Sequence, residues 1–87
     1  MPSKKEELVQ VRQDPAILQI GKNGFSVDVF TELEMQLKRH KMVKIRIGRS
    51  APFSSKEEAL TALRDSLPQY IRIVEARGWT VILERNP

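Results

Sequence analysis

Leu18-Gln19-Ile20-Gly21-Lys22-Asn23-Gly24-Phe25-Ser26 is the stretch on which the fold turns. Residues 16–20 form a short apolar run of the length expected for a buried strand. Two glycines break that run, and Ser26 is of the residue type that caps a helix N-terminus. Phe25 and Phe30 then stand at the two positions of a hydrophobic staple. Phe30, Leu33 and Leu37 repeat at the spacing of one helix face, and Lys38, Arg39 and His40 close the last turn, where cations suit the negative end of the helix dipole. The stretch therefore predicts a strand, a tight loop and a helix.

Beyond it, residues 42–47 alternate: Val43, Ile45 and Ile47 point one way, Lys44 and Arg46 the other, as in a strand with one wet face. Residues 48–53 read as a loop. Ser54-Ser55-Lys56-Glu57 has the capping-box pattern with Ser54 as cap, and Leu60, Leu63 and Leu67 give the next helix its stripe before Pro68 ends it. Residues 70–76 and 79–84 are strand-like runs joined by an Arg77-Gly78 turn, which predicts a hairpin. Upstream, residues 4–11 predict a short helix anchored only by Leu8 and Val11, and Asp14-Pro15 breaks it. Residues 1–3 and 86–87 are expected to fray.

The fold class that follows is α/β: one domain over residues 1–87, in the order α-β-α-β-α-β-β. A strand-helix-strand unit favours parallel pairing and a hairpin is antiparallel, so the four-stranded sheet is mixed. Its helices lie mainly on one face. The other face is expected to meet water and to carry Lys44, Arg46 and Arg72.

A chain of 87 residues has room for one thin core. It has no cysteine, which excludes a disulfide framework, a thiolate metal site and a Cys nucleophile. No apolar run approaches the roughly 20 residues that span a bilayer, and no signal-peptide pattern stands at the start. A soluble, cytoplasmic protein with no membrane partner is expected. The net charge of +4 is modest, but it is unevenly placed. Between Met35 and Lys56 there is no acidic residue, while Lys38, Arg39, Lys41, Lys44, Arg46, Arg49 and Lys56 all fall there. A one-signed segment of this kind either attracts polyanions or is an ordinary solvated face.

The Gly21-Lys22-Asn23-Gly24 loop admits two readings, a plain strand-to-helix turn and an anion grip. For the second, backbone N–H groups at a helix start have no helical partner, and glycines let a nucleic-acid backbone come close. Lys22 adds charge at the loop tip, and Asn23 can donate hydrogen bonds. KH domains clamp about four nucleotides of single-stranded backbone with such a loop.

The segment from Leu18 through the loop to Glu32-Leu33-Glu34-Met35-Gln36-Leu37-Lys38-Arg39-His40-Lys41-Met42-Val43-Lys44-Ile45-Arg46-Ile47 resembles the CRM domain, as does the closing Gly78-Trp79-Thr80-Val81-Ile82-Leu83-Glu84-Arg85. That family includes YhbY-like bacterial ribosome-associated proteins and plant organellar group II intron splicing factors. The resemblance covers roughly residues 4–85. It implies a fold akin to KH domains and to the C-terminal domain of translation initiation factor 3, and binding to structured RNA. Precursor ribosomal RNA or pre-ribosomal particles would be the target, in ribosome biogenesis. Carried over by position, Gly21, Lys22, Asn23 and Gly24 take the loop role, Lys44 and Arg46 the basic strand positions, and Arg85 the terminal basic position. The short opening helix and the proline- and serine-bearing loop at 48–54 depart from the bacterial pattern.

Little in the chain points to catalysis. His40 is the sole histidine and has no partner at a catalytic spacing. Glu32 and Glu34 diverge on a helix and form no carboxylate pair. No metal, P-loop or cofactor spacing is present, and no small-molecule substrate is implied. Trp79 could stack on a base or pack in the core, and its alternation with Val81 and Leu83 favours the core; Tyr70 begins a strand and is undecided between the two. The expected function is RNA binding through the loop backed by Lys38, Arg39, Lys41, Lys44 and Arg46. A chromatin-type DNA-binding protein and a module docking an acidic protein are the rivals. On this reading Gly24→Asp costs most of the affinity without unfolding the domain, and Lys44→Ala weakens binding to all RNAs and lowers the salt slope by about one.

Overall fold

The first turn of the central helix forms as its sequence requires. Ser26 is extended and its Oγ accepts from the Val29 N–H, so α2 (Val27–Arg39) starts where the serine stands. Phe25 and Phe30 meet across that cap with ring centroids 6.3 Å apart. Leu33 and Leu37 are the buried residues of its inner stripe. The computed structural model describes residues 3–86; Met1, Pro2 and Pro87, three of the five residues expected to fray, lie outside them. Of the other two, Ser3 caps α1 (Lys4–Gln13), and Asn86 hydrogen-bonds to the Gln69 and Tyr70 carbonyls.

Four strands form one mixed sheet in the order β1 (Leu18–Ile20), β2 (Met42–Ile47), β4 (Thr80–Arg85), β3 (Ile71–Arg77). β1 runs parallel to β2, with Ile20 opposite Ile47. β2 and β4 are antiparallel, as are β3 and β4. α2 and α3 (Lys56–Ser66) share one core with the sheet: Leu33, Leu37, Ala59 and Leu63 pack with Ile20, Val43, Ile45, Ile47, Val81 and Leu83. The cap of α3 sits one residue later than the pattern suggested. Ser55 Oγ accepts from the Glu58 N–H, and Glu58 reaches back to the Ser54 N–H and hydroxyl, a box built on 55 and 58. These bonds hold the exposed Glu58 carboxyl below its ordinary pKa.

The opposite face of the sheet is open to water only in part, at Arg46 and Arg72. α1 lies over it, and Met42 and Ile82 are buried there. Charge holds this helix more than apolar area does, since none of its residues is fully buried. Arg12 donates to both Glu75 oxygens, Lys4 pairs with Glu84 at 3.0 Å, and Lys44 Nζ donates to the Arg12 and Asp14 carbonyls at 3.0 and 3.1 Å. Arg72 is spent on Glu84 as well. An irregularity in β3 makes the Arg12 contact possible. Ile73 faces Leu83 and Glu75 faces Ile82, so one extra residue, Val74, is inserted. The insertion moves Glu75 to the α1 side and returns Ala76 to the core side.

The hydrogen bonds from Arg12 hold the Glu75 carboxyl below the ordinary glutamate range. At Glu84 burial alone would raise the pKa, but bonds from Lys4 and Arg72 outweigh it and the net direction is down. Both groups are thus depressed in the folded chain. Their contribution is complete above the ordinary glutamate value and is lost as pH falls through the lowered ones. The melting temperature is therefore expected to be flat near neutrality and to fall between about pH 5 and pH 3. In Glu75→Gln the fall should be shallower; an equally steep profile in that variant would remove Glu75 from the latch.

Candidate nucleic-acid interface

β1 ends and α2 begins at one end of the molecule, and the Gly21 to Gly24 segment turns between them. The Gly24 N–H donates to the Gly21 carbonyl at 3.0 Å, closing the turn. Among the described residues, the Lys22 and Asn23 N–H groups donate to no protein acceptor, and both residues are exposed. Two backbone donors and an ammonium thus project from the tip of a turn at a helix N-terminus, where an anion is favoured. Asp28 in the first helical turn is the nearby acidic residue in sequence.

The two glycines do different things. A side chain at Gly21 would meet only Ser50 Oγ, at 3.9 Å. Gly24 is buried with φ +63°, and its missing side chain would point at Pro52 (3.4 Å) and Phe53 (3.6 Å). Left-handed dihedrals favour glycine, so Gly24 shapes the turn and seats it on the 48–55 loop. An aspartate at Gly24 would therefore be strained, a cost that the sequence reading of Gly24→Asp left out. Gly21 is the position at which a carboxylate can be introduced without strain.

The 48–55 loop lies directly beside the turn. The Gly48 N–H donates to the Ile20 carbonyl at 2.9 Å, and Phe53 stacks near Phe25 with centroids 5.3 Å apart. The tip of the β3–β4 hairpin reaches the same end, tied down by the Ile47 N–H donating to the Trp79 carbonyl at 2.8 Å. Lys22, Arg46 and Arg49 are exposed at this end, and no carboxylate lies within 4 Å of their charged groups among the described residues.

The basic segment read as one patch is divided in space. α2 carries the chain about 20 Å from the loop, at 1.5 Å per residue. Lys38, Arg39 and Lys41 therefore stand at the far end, where with Arg85, Glu7 and Glu84 they line a depression of about 580 Å³. Lys41 lies 3.9 Å from Glu7 there. His40 is the exposed C-cap of α2, its N–H bonded to the Gln36 carbonyl. Lys44 sits midway and half-buried, its ammonium closing the C-terminus of α1. Lys44→Met is accordingly expected to cost about 1–3 kcal/mol of stability and to change the salt slope of RNA binding by well under one. A full unit of slope lost with stability intact would return Lys44 to the interface.

Trp79 is not in the core. The two-residue turn is Gly78-Trp79, one position later than the Arg77-Gly78 reading, with Gly78 at φ +53°. That shift takes the indole out of the strand alternation and leaves it 43% exposed beside Arg46 and Arg49. Tyr70 is exposed as well, and its hydroxyl donates to Glu34 at 2.9 Å, which raises its pKa. No helix among the described residues is long and apolar enough to cross a membrane. None of their acidic and histidine side chains cluster as a metal site would need.

The CRS1 / YhbY (CRM) domain model matches residues 3–85, nearly the whole chain. The chain belongs to the CRM domain family. No curated protein matches it in sequence. Among solved structures, a hypothetical protein from Staphylococcus aureus, described as a candidate RNA-binding protein, superposes with a TM-score of 0.67. It is 19% identical, and the match covers 100% of this chain and 91% of that one, a likeness of fold. In this CRM domain, then, the GxxG turn, Arg46, Arg49 and Trp79 converge at one end. Lys38, Arg39, Lys41 and Arg85 occupy the other. Arg49 lay within the basic segment but outside the expected site; reading its loop as folded back on the glycine turn would have included it.

Proposed function

We propose that the chain binds structured RNA by its backbone, with precursor ribosomal RNA or pre-ribosomal particles as the target, in ribosome maturation in the cytoplasm. The observation that carries this reading is the exposed Lys22-Asn23 turn, whose N–H donors are unspent and whose neighbours Arg46 and Arg49 have no carboxylate partner among the described residues. Membership of the CRM family and the description of the Staphylococcus aureus neighbour support RNA over other polyanions. The mechanism is long-range attraction by the basic end, followed by seating of a phosphate on the turn. Gly21 keeps the approach clear, Gly24 sets the turn, and Asn23 adds a polar contact. The far cluster of Lys38, Arg39, Lys41 and Arg85 extends the attraction along the molecule. Membership of an RNA-binding family supports a role in binding rather than catalysis.

Competition between structured RNA and duplex DNA of equal length, at several salt concentrations, tests the reading. RNA is expected to win, with log affinity falling linearly in log salt by about 0.7–0.9 per phosphate held. Gly21→Asp should lose most of the affinity while keeping the wild-type melting temperature. Preference for DNA would favour the chromatin-type rival, and no binding of either would favour an acidic protein partner.

A further inference from the structure

A depression of about 390 Å³ lies between the 48–55 loop and the hairpin tip, in the size range of small-molecule sites. Trp79, Phe53, Ala51 and Gly48 form its wall and floor, and Arg46 and Arg49 stand on its rim. No carboxylate lines it, in contrast to the far-end depression, where Glu7 and Glu84 take part. Its floor is bonded to the phosphate-facing turn, through Gly48 to Ile20, the residue before Gly21. The Trp79 backbone is held in place by its carbonyl, which accepts from the Ile47 N–H, and its side chain is not part of the core.

We propose that this depression is a stacking slot for one unpaired base of the RNA whose backbone rests on the GxxG turn, with Trp79 as the platform. The inference rests on the RNA-binding reading. An aromatic face with cations beside it suits any base, because every base presents a π-face and the neighbouring phosphates meet Arg46 and Arg49. A base inside a duplex has both faces covered, so the slot selects loops, bulges and single strands without reading their sequence.

The chain has a single tryptophan, so its intrinsic fluorescence reports on the slot alone. A hairpin RNA with an unpaired loop should quench that fluorescence on binding, and a long blunt RNA duplex should not. Trp79→Ala should weaken hairpin binding by roughly tenfold and leave duplex binding unchanged, and Trp79→Phe should recover most of the loss. Circular dichroism of both variants should match wild type, since the side chain is exposed. Hairpin binding with unchanged fluorescence and an unaffected Trp79→Ala would overturn the stacking slot while leaving RNA binding standing. Failure of the wild-type protein to bind either RNA would take the slot down together with the reading beneath it.

Discussion

Gly24→Asp will lower the melting temperature of the domain by roughly 12–24 °C, and any loss of RNA binding in that variant will be secondary to loss of fold. The figure follows from two costs. An aspartate at φ +63° is in a region that costs a non-glycine residue about 1 kcal/mol or more. Its side chain would also lie against the apolar Pro52 and Phe53, 3.4 and 3.6 Å from the added Cβ, for about 1–3 kcal/mol of lost carboxylate hydration. A loss of about 3 kcal/mol or more is a large share of the roughly 4–13 kcal/mol expected for a domain of this size, and each kcal/mol shifts melting by about 4–8 °C. Gly21→Asp, facing only Ser50 Oγ at 3.9 Å, should melt within a few degrees of wild type. If the two variants melt alike, Gly24 does not hold the turn on the neighbouring loop.

The second large effect is on binding. Reversing both charges in Lys22→Glu/Arg46→Glu should cut RNA affinity at about 0.1 M salt by roughly a hundredfold and reduce the salt slope by about 1.5–2. Stability should change by less than about 0.5 kcal/mol, because both side chains are exposed and neither is paired with a carboxylate. The matching reversal at the other end, Lys38→Glu/Arg39→Glu, should lower affinity much less. A larger loss from the far pair than from the loop pair would move the contact surface to the C-terminal end of α2.

These contrasts show what a linear reading of the chain can and cannot supply. The elements were legible because local chemistry dictates them. Ser26 caps, Phe25 and Phe30 staple, and the alternation of residues 42–47 has a single solution in which Val43, Ile45 and Ile47 share the core. That the sheet is mixed followed from two rules, parallel pairing across a helix and antiparallel pairing across a hairpin, but the β2–β4 pairing that sets the strand order did not. What a one-position error does to a strand is equally visible. Moving the hairpin turn from 77–78 to 78–79 takes Trp79 out of the strand and onto the surface, while Val81 and Leu83 keep their core positions.

The site was legible in its parts and not in its assembly. Lys38 and Arg46 are neighbours in a basic segment, yet a helix and a strand running in opposite directions put them at opposite ends. Lys44 and Arg46 share a strand face, but the opening helix covers one and leaves the other free. Nothing local to Lys44 signals this. The information lies in Glu75 and Glu84, far along the chain, whose pairing with Arg12 and Lys4 brings that helix onto the sheet. Gly24 is the converse case: its place in a tight turn was legible, but its closeness to Pro52 and Phe53 required knowing where the 48–55 loop folds.

The central claim, that RNA is held at the glycine-loop end, is tested most directly by amide chemical-shift mapping of isotope-labelled protein titrated with structured RNA. The account predicts that the largest shifts fall together on residues 21–24, 46–49 and 78–79, with smaller changes at 38–41 and 85. Shifts concentrated at the far end or on the outer face of α3, with the glycine turn silent, would contradict it.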